Sequence, residues 1–404
     1  MKDHSPHPPS PETATAEPTK YQLSDLADTQ MLINIGPQHP ATHGIMRLEV
    51  ILEGETVVDV VPHIGYLHRC FEYHASQLPY PQIIPFVDRM DYLAAMNSEH
   101  AFAMGVEKML GITDKIPRRV EYIRVLVAEL NRLASHMIAI GAYGIDLGSK
   151  TAFLWLMRDR EYILRLLEWV SGARMLYNYI WIGGLYYDLP TDFEAKCADF
   201  IKYLQPKLAE IDMLLTDNPI FIQRTAGVGV LPLATAINYA VSGPILRASG
   251  LRLDLRRVDN YSVYPALEFE IPIGEGLVGK VGDCWDRNWV RVQECKESIK
   301  IIAQCLDFLA KEGKRVTGFH PHQMVPKKVR IPAQDCYTRA ENPRGELGFF
   351  FRSTTNSDIP CRCKARTPSF ANLAVLPQIA KGYTLADLVA ILGSMDIVVG
   401  EIDR

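Results

Sequence analysis

No two of the eight cysteines form a Cys-x-x-Cys pair; they are scattered at positions 70, 197, 284, 295, 305, 336, 361 and 363. That scatter argues against an iron–sulfur cluster or thiolate-held metal, and it reads as reduced, structural thiols in a cytosolic compartment. A basic run is missing too. With a formal net charge of −4 the chain lacks the clustered Lys and Arg on which nucleic-acid affinity rests. No stretch of 18 apolar residues is free of charge, so the chain is not expected to span a membrane, although docking on a membrane protein stays open. Residues 1–20, MKDHSPHPPSPETATAEPTK, have no apolar core and no Arg, which sets aside a secretory signal and a mitochondrial presequence alike. Their Pro, Ser, Thr and Glu content reads as a disordered tail. There is no internal repeat.

What is present is enough apolar material for a large core: 404 residues, 48% of them hydrophobic. Residues 45–52 alternate, with Met46, Leu48, Val50 and Leu52 on one face and Arg47 and Glu49 on the other; Glu53-Gly54-Glu55 turns the chain and 57–61 runs back. That pattern predicts a β-hairpin or small sheet. From Asp88, a plausible N-cap, Leu93, Met96, His100, Ala103 and Val106 recur at helical spacing until Gly111. Pro117 opens a second helix with a stripe of Ile123, Leu126, Leu130, Leu133 and Met137, which Gly141 and Gly144 are expected to end. Further helices are predicted over 151–171, 191–215 with a kink at Pro206, 232–241 and 283–310. Beyond Gly313 the spacing predicts strands at 347–352 and 361–365, a short helix at 385–392 and a strand-like tail at 397–402. The fold class is α+β, mainly α: a disordered tail (1–27), an N-terminal β domain (28–86), a helical bundle (87–315) and a C-terminal mixed α/β segment (316–404).

One stretch stands out for chemistry, Gly36-Pro37-Gln38-His39-Pro40-Ala41-Thr42-His43-Gly44. His39 and His43 have the four-residue spacing of helical metal ligands, but Pro37 and Pro40 forbid the helix. The stretch is a stiff loop carrying imidazoles, placed at the corner where the first strand begins. Gly274-Glu275-Gly276-Leu277-Val278-Gly279-Lys280-Val281 imitates a nucleotide loop. It has Val281 where a P-loop needs Ser or Thr, and its helix starts beyond the glycines, so it reads as a plain connection. Cys361 and Cys363, two apart on a strand, share one face and read as packing, since no second pair completes a metal site. His63, His68, His100 and His136 read as structural, and His320 and His322 as part of a surface loop.

The stretch GPQHPATHGIMRLEV also resembles the start of the 49-kDa (D) subunit of proton-pumping NADH:quinone oxidoreductase, respiratory complex I, a family related to the nickel–iron hydrogenase large subunit. The resemblance continues through Pro62-His63-Ile64-Gly65-Tyr66-Leu67-His68-Arg69, Asp88-Arg89-Met90-Asp91-Tyr92, Val170-Ser171-Gly172-Ala173-Arg174-Met175, Gly282-Asp283-Cys284-Trp285-Asp286-Arg287 and Gly400-Glu401-Ile402-Asp403-Arg404. It implies a hydrogenase-like fold without hydrogenase chemistry, because both Cys-x-x-Cys pairs of that enzyme are missing. It implies that His43, Tyr92 and Asp146 line a quinone headgroup pocket, with His43 and Tyr92 binding the quinone. It further implies that this chain binds no cofactor alone, and that electrons come from an iron–sulfur cluster of a neighbouring B-type subunit. The C and I subunits and the membrane arm are the other implied partners, and the implied location is peripheral, on the cytoplasmic side of the cell inner membrane.

These residue types suit that chemistry. Quinone reduction takes two electrons and two protons, so the site must hold donors that release a proton as charge builds on each oxygen. A tyrosine, with an ordinary pKa of about 10, keeps its proton until a basic reduced quinone demands it. A histidine near 6.5 is readily reprotonated, and a carboxylate on the other ring nitrogen orients it. The competing readings are a cofactor-free structural subunit of a membrane-bound hydrogenase-like complex, and a soluble metalloenzyme built on His39 and His43.

Overall fold

The computed structural model describes residues 26–42, 44–312 and 329–404. Three antiparallel strands come first, β1 (Gln30–Ile35), β2 (Arg47–Glu53) and β3 (Thr56–His63), in that order across the sheet. The alternation in β2 puts Leu48, Val50 and Leu52 into the core, and Gly54 makes the turn with a φ of 61°. The expected hairpin is therefore present, joined by β1, whose sequence QMLINI alternates too weakly to stand out from a loop. The outer face is not polar throughout: Glu49 is buried, 2.8 Å from His63 Nε2.

Two short helices, α1 (Phe71–Ala75) and α2 (Tyr80–Asp88), precede the longer α3 (Ala95–Leu110). Asp88 does not cap the helix after it. It closes α2, is wholly buried, and its carboxylate accepts the Asn178 N–H at 3.0 Å. Residues 89–94 therefore form a connection, and that connection carries Tyr92. Gly111 ends α3 in a left-handed conformation as its position suggests.

Next comes α4 (Arg118–Asp146), followed by α5 (Lys150–Ser171). Gly141 and Gly144 do not stop α4. They allow α5 and its approach loop to lie close: a Cβ on Gly141 would be 3.1 Å from the Phe153 ring, and one on Gly144 3.4 Å from the Ser149 carbonyl. Asp146 is thus the last residue of a helix rather than a turn residue between glycines. A two-strand ribbon, β4 (Ile180–Trp181) and β5 (Gly184–Leu185), leads to α6 (Phe193–Ile211), which holds Pro206 and runs into a π-helical turn at Asp212–Thr216. Short helices α7 (Pro219–Thr225), α8 (Leu233–Asn238), α9 (Pro244–Ala248) and α10 (Leu255–Val258) then lead to α11 (Cys284–Glu312).

The bundle is built on α4 and α11, each 29 residues long and packed side by side, with α5 on the other flank of α4. Of the helices among the described residues, α4 alone is long and apolar enough to cross a membrane, but 89% of its most apolar window is buried inside the protein. Core burial accounts for its composition.

A second antiparallel sheet, β6 (Gln334–Asn342), β7 (Gly345–Ser353) and β8 (Arg362–Arg366), packs on α2 and α3. Phe102 of α3 meets Phe349 and Phe351 edge-on at 5.5 and 5.3 Å. Cys363 is buried in this layer, whereas Cys361 lies just before β8 and is exposed, so only Cys363 is packed in the core. The chain ends with α12 (Pro368–Leu373), α13 (Leu376–Ala380), α14 (Leu385–Ser394) and α15 (Val399–Asp403). The tail expected as a strand is helical. The Thr367 hydroxyl donates to the Glu401 carbonyl at 2.6 Å and the Ser369 N–H to the Glu401 carboxylate at 3.1 Å, and these contacts outweigh the β preference of Ile and Val.

Candidate functional site

The loop at 36–44 is braced from within. Thr42 Oγ1 reaches the carbonyls of Pro37 at 3.1 Å and His39 at 3.0 Å, and the Ala41 N–H donates to His39 Nδ1 at 3.2 Å. That bond occupies one ring nitrogen of His39, which weakens the two-histidine metal reading. The turn Pro40–Thr42 rests on α14. His43 itself lies outside the described residues, as do His320 and His322.

Asp146, half-buried, ends α4 against the same helix. A Cβ on Gly393 of α14 would lie 2.7 Å from Asp146 Oδ2 and 3.0 Å from Tyr143 Cδ2. Tyr92 meets the following helix: a Cβ on Gly400 of α15 would lie 3.3 Å from its Cε1 and 2.7 Å from the Met90 carbonyl oxygen. One C-terminal segment of 20 residues, 385–404, therefore touches Thr42's turn, Asp146 and Tyr92 in succession.

Behind Tyr92 stands a set of buried charges. Asp91 accepts the Leu93 N–H at 3.3 Å and lies 3.4 Å from Arg344 Nη1. Arg344, from the β6–β7 turn, also binds Ser135 of α4 and is 3.1 and 3.2 Å from the Asp396 carboxylate. Arg291 of α11 approaches Asp396 to 3.9 Å. Burial holds the Tyr92 phenol above its ordinary pKa, and the Asp91 charge adds to this, while Arg344 and Arg69 pull the other way. A phenol so placed keeps its proton more firmly than a free tyrosine. Glu401 is fully buried close by, and its carboxyl is pushed up to about 8, first by burial and then by Asp91.

The loop at 64–68 closes over the end of α15. Asp403 accepts the N–H groups of Gly65 and Leu67, each at 2.8 Å, and its carbonyl holds His68 Nδ1 at 2.6 Å. His63 and His136 are likewise in hydrogen bonds, to Glu49 and to Glu294 at 3.1 Å. His100 is buried, with Nε2 unpartnered and its pKa lowered to about 3 by burial. Asp91, Arg344, Asp396 and Glu401 escape sequence reasoning because no local pattern joins them. A usable signal was an acid set inside the apolar runs DRMDYLAAM and SMDIVVGEID.

The glycine-rich loop at 274–281 turns its N–H groups onto the chain's own carboxylates. Gly276 and Gly282 donate to Asp286 at 3.1 and 3.3 Å, and Lys280 to Asp283 at 2.8 Å. Donors that would cradle a phosphate are already taken. Among the described residues no group of three or more His, Cys, Asp or Glu side chains is placed to hold a metal ion.

Comparison with known proteins places this arrangement in company. Residues 146–404 match the family described as respiratory-chain NADH dehydrogenase, 49 Kd subunit. The chain is 76% identical over 387 residues to the D subunit of the NADH-quinone oxidoreductase of Amoebophilus asiaticus (strain 5a2), covering 96% of each chain. It is 66% identical over 390 residues to a D subunit of the same enzyme of Cytophaga hutchinsonii, covering 96% of this chain and 100% of that one. To the D subunit of Chlorobaculum parvum it is 56% identical over 380 residues, 94% of each.

Proposed function

The chain belongs to the 49-kDa subunit family of the respiratory-chain NADH dehydrogenase, and from that premise we propose that it forms the headgroup end of a quinone site, with Tyr92 and His43 as proton donors and Asp146 as the orienter of His43. As the D subunit it works within the multisubunit NADH:quinone oxidoreductase of the respiratory membrane, whose substrate is quinone and whose other subunits are its partners. The observation that carries the site reading is the C-terminal segment, which packs against the histidine loop, Asp146 and Tyr92 in turn.

The chemistry follows from those residue types. An iron–sulfur cluster held by the neighbouring B-type subunit would supply the two electrons. As each quinone oxygen gains charge, the phenol of Tyr92 and the imidazole of His43 donate hydrogen bonds and then protons. Burial of Tyr92 matches this role, because a firmly held proton leaves only for a strongly basic oxygen. A hydrogen bond from the imidazole to Asp146 would favour the charged ring and fix its orientation. The subunit sits peripherally on the membrane arm at the cytoplasmic side, and the quinone tail enters from the lipid; the C and I subunits complete its surroundings. The reading as a structural subunit without a quinone role loses ground to the names of the relatives.

The test is Tyr92→Phe, which keeps the ring and removes the proton. NADH:quinone reductase activity in membranes is expected to fall by about two orders of magnitude, while NADH oxidation by an artificial acceptor upstream is unchanged. Equal, unaltered rates of both reactions would reject the site.

A further inference from the structure

We propose that Asn131 is the residue that positions Tyr92: from α4, its amide locks the backbone turn on which the phenol stands. The inference rests on the quinone-site reading given above, and it concerns a residue that does not touch the substrate.

Tyr92 lies in a tight turn at 91–94. The Ala94 N–H donates to the Asp91 carbonyl at 3.1 Å, and the Asp91 carboxylate takes the Leu93 N–H at 3.3 Å, so Tyr92 and Leu93 are the two central residues. Directly after the turn α3 begins. The first N–H groups of a helix have no partner within it, and a Ser, Thr, Asp or Asn at the N-cap ordinarily supplies one. Here the N-cap is Ala94, whose side chain cannot. Asn131 takes that place from another helix: its Oδ1 accepts the Met96 N–H at 3.0 Å. Its Nδ2 donates to the Leu93 carbonyl, also at 3.0 Å. Asn131 is 1% exposed, so water does not compete for either bond.

These two bonds select the residue type. The Met96 N–H can only donate and the Leu93 carbonyl can only accept, so the partner needs an acceptor and a donor side by side. An amide of this length offers both; a carboxylate or an apolar chain does not. One turn further along α4, Ser135 takes Arg344 Nη1, which is 3.4 Å from the Asp91 carboxylate. Asn131 and Ser135 are four apart and share a face of the helix. Two successive turns of α4 therefore hold the two halves of the 91–94 turn: its first residue through Arg344, its third directly. Both backbone groups of Leu93 are occupied, the N–H by Asp91 and the carbonyl by Asn131. The Tyr92 ring meets Gly400 of α15. With its backbone tied to α4 and its ring stopped by α15, the phenol is held in one place, which is what proton donation to a bound quinone demands.

The experiment is a double-mutant cycle with Tyr92→Phe. Asn131→Gln keeps the donor and the acceptor but carries them one methylene further out, so both bonds form only if the turn retreats from α4. Asn131→Leu keeps the volume and loses both bonds. NADH:quinone reduction by the assembled enzyme in membranes is measured beside the artificial-acceptor rate. With Tyr92 present, each substitution is expected to lower quinone reduction at least about tenfold, a displacement of about 1 Å being worth about 100-fold. In the Tyr92→Phe background the same substitutions are expected to change the residual rate by less than about twofold, because no phenolic proton is left to misplace. Wild-type quinone reduction in Asn131→Gln, or an equal fold loss in the two backgrounds, would overturn the proposal; the second result would make Asn131 a residue of the fold alone. If Asn131→Leu fails to assemble, Asn131→Gln decides by itself, since it leaves no backbone group without a partner. Full activity in Tyr92→Phe would instead reject the quinone-site reading itself, so the two failures are distinguishable.

Discussion

Gly400→Ala isolates the role of α15 in placing Tyr92. The added methyl would sit 2.7 Å from the Met90 carbonyl oxygen, 3.3 Å from Tyr92 Cε1 and 3.4 Å from the Arg89 carbonyl oxygen. Real Cβ contacts stop near 3.0 Å and are ordinary from 3.4 Å, so the 89–92 connection must retreat by about 0.3–0.7 Å, and a backbone carbonyl has no flexible side chain with which to yield. Gly400 lies in a helix without a left-handed φ, and alanine there gains about 1 kcal/mol of helix preference. Overpacking costs about 1–3 kcal/mol, so the net loss of stability is small and the enzyme assembles. Catalysis is more sensitive: a displacement of about 1 Å in a reacting group costs about 100-fold, so a shift half that size should cost about tenfold. The assay is quinone reductase activity against the artificial-acceptor rate in the same membranes. Wild-type quinone kinetics in a fully assembled Gly400→Ala enzyme would refute the claim that α15 sets the position of Tyr92.

Other outcomes follow from the same structure. Gly393→Ala drives a methyl to 2.7 Å from Asp146 Oδ2 and should lower the rate of quinone reduction without touching the acceptor rate. Arg344→Met leaves Asp91 and Asp396 buried without their main partner, a loss of about 3–5 kcal/mol, read as a lowered inactivation temperature of the assembled enzyme. Asp88 and Glu99 are both buried, each with one carboxyl oxygen lacking a hydrogen-bond partner, and burial raises Asp88 to about 7 and Glu99 well above its ordinary value. Both carboxyls bind protons more tightly folded than unfolded. Their contribution is therefore complete below about pH 4, the unfolded value, and is lost as pH rises through about 7. Asp88→Asn should flatten that loss when inactivation temperature is followed against pH.

Much of the scaffold was legible where one face of an element decides its register. The alternation of Leu48, Val50 and Leu52 gave β2, and the stripe from Ile123 to Met137 gave α4. Gly111 behaved as a helix stop and Gly141 and Gly144 did not: Gly141 packs against Phe153 of α5, and Gly144 against Ser149 and Leu215. Val399 of α15 prefers a strand in isolation, and the contacts of Thr367 and Ser369 with Glu401 favour the helix instead. Only the family resemblance singled out Tyr92, and its electrostatics lay beyond any local pattern, since Arg344 pairs with Asp91 across 253 residues. Local patterns carry no information about such a pairing.

The central claim is that the phenolic proton of Tyr92 is spent on quinone. Tyr92→Phe, assayed in membranes for NADH:quinone reduction beside NADH oxidation by an upstream artificial acceptor, tests it most directly. A steep fall in the first rate with the second intact is the predicted result; two unchanged rates would contradict it and leave Tyr92 as a packing residue.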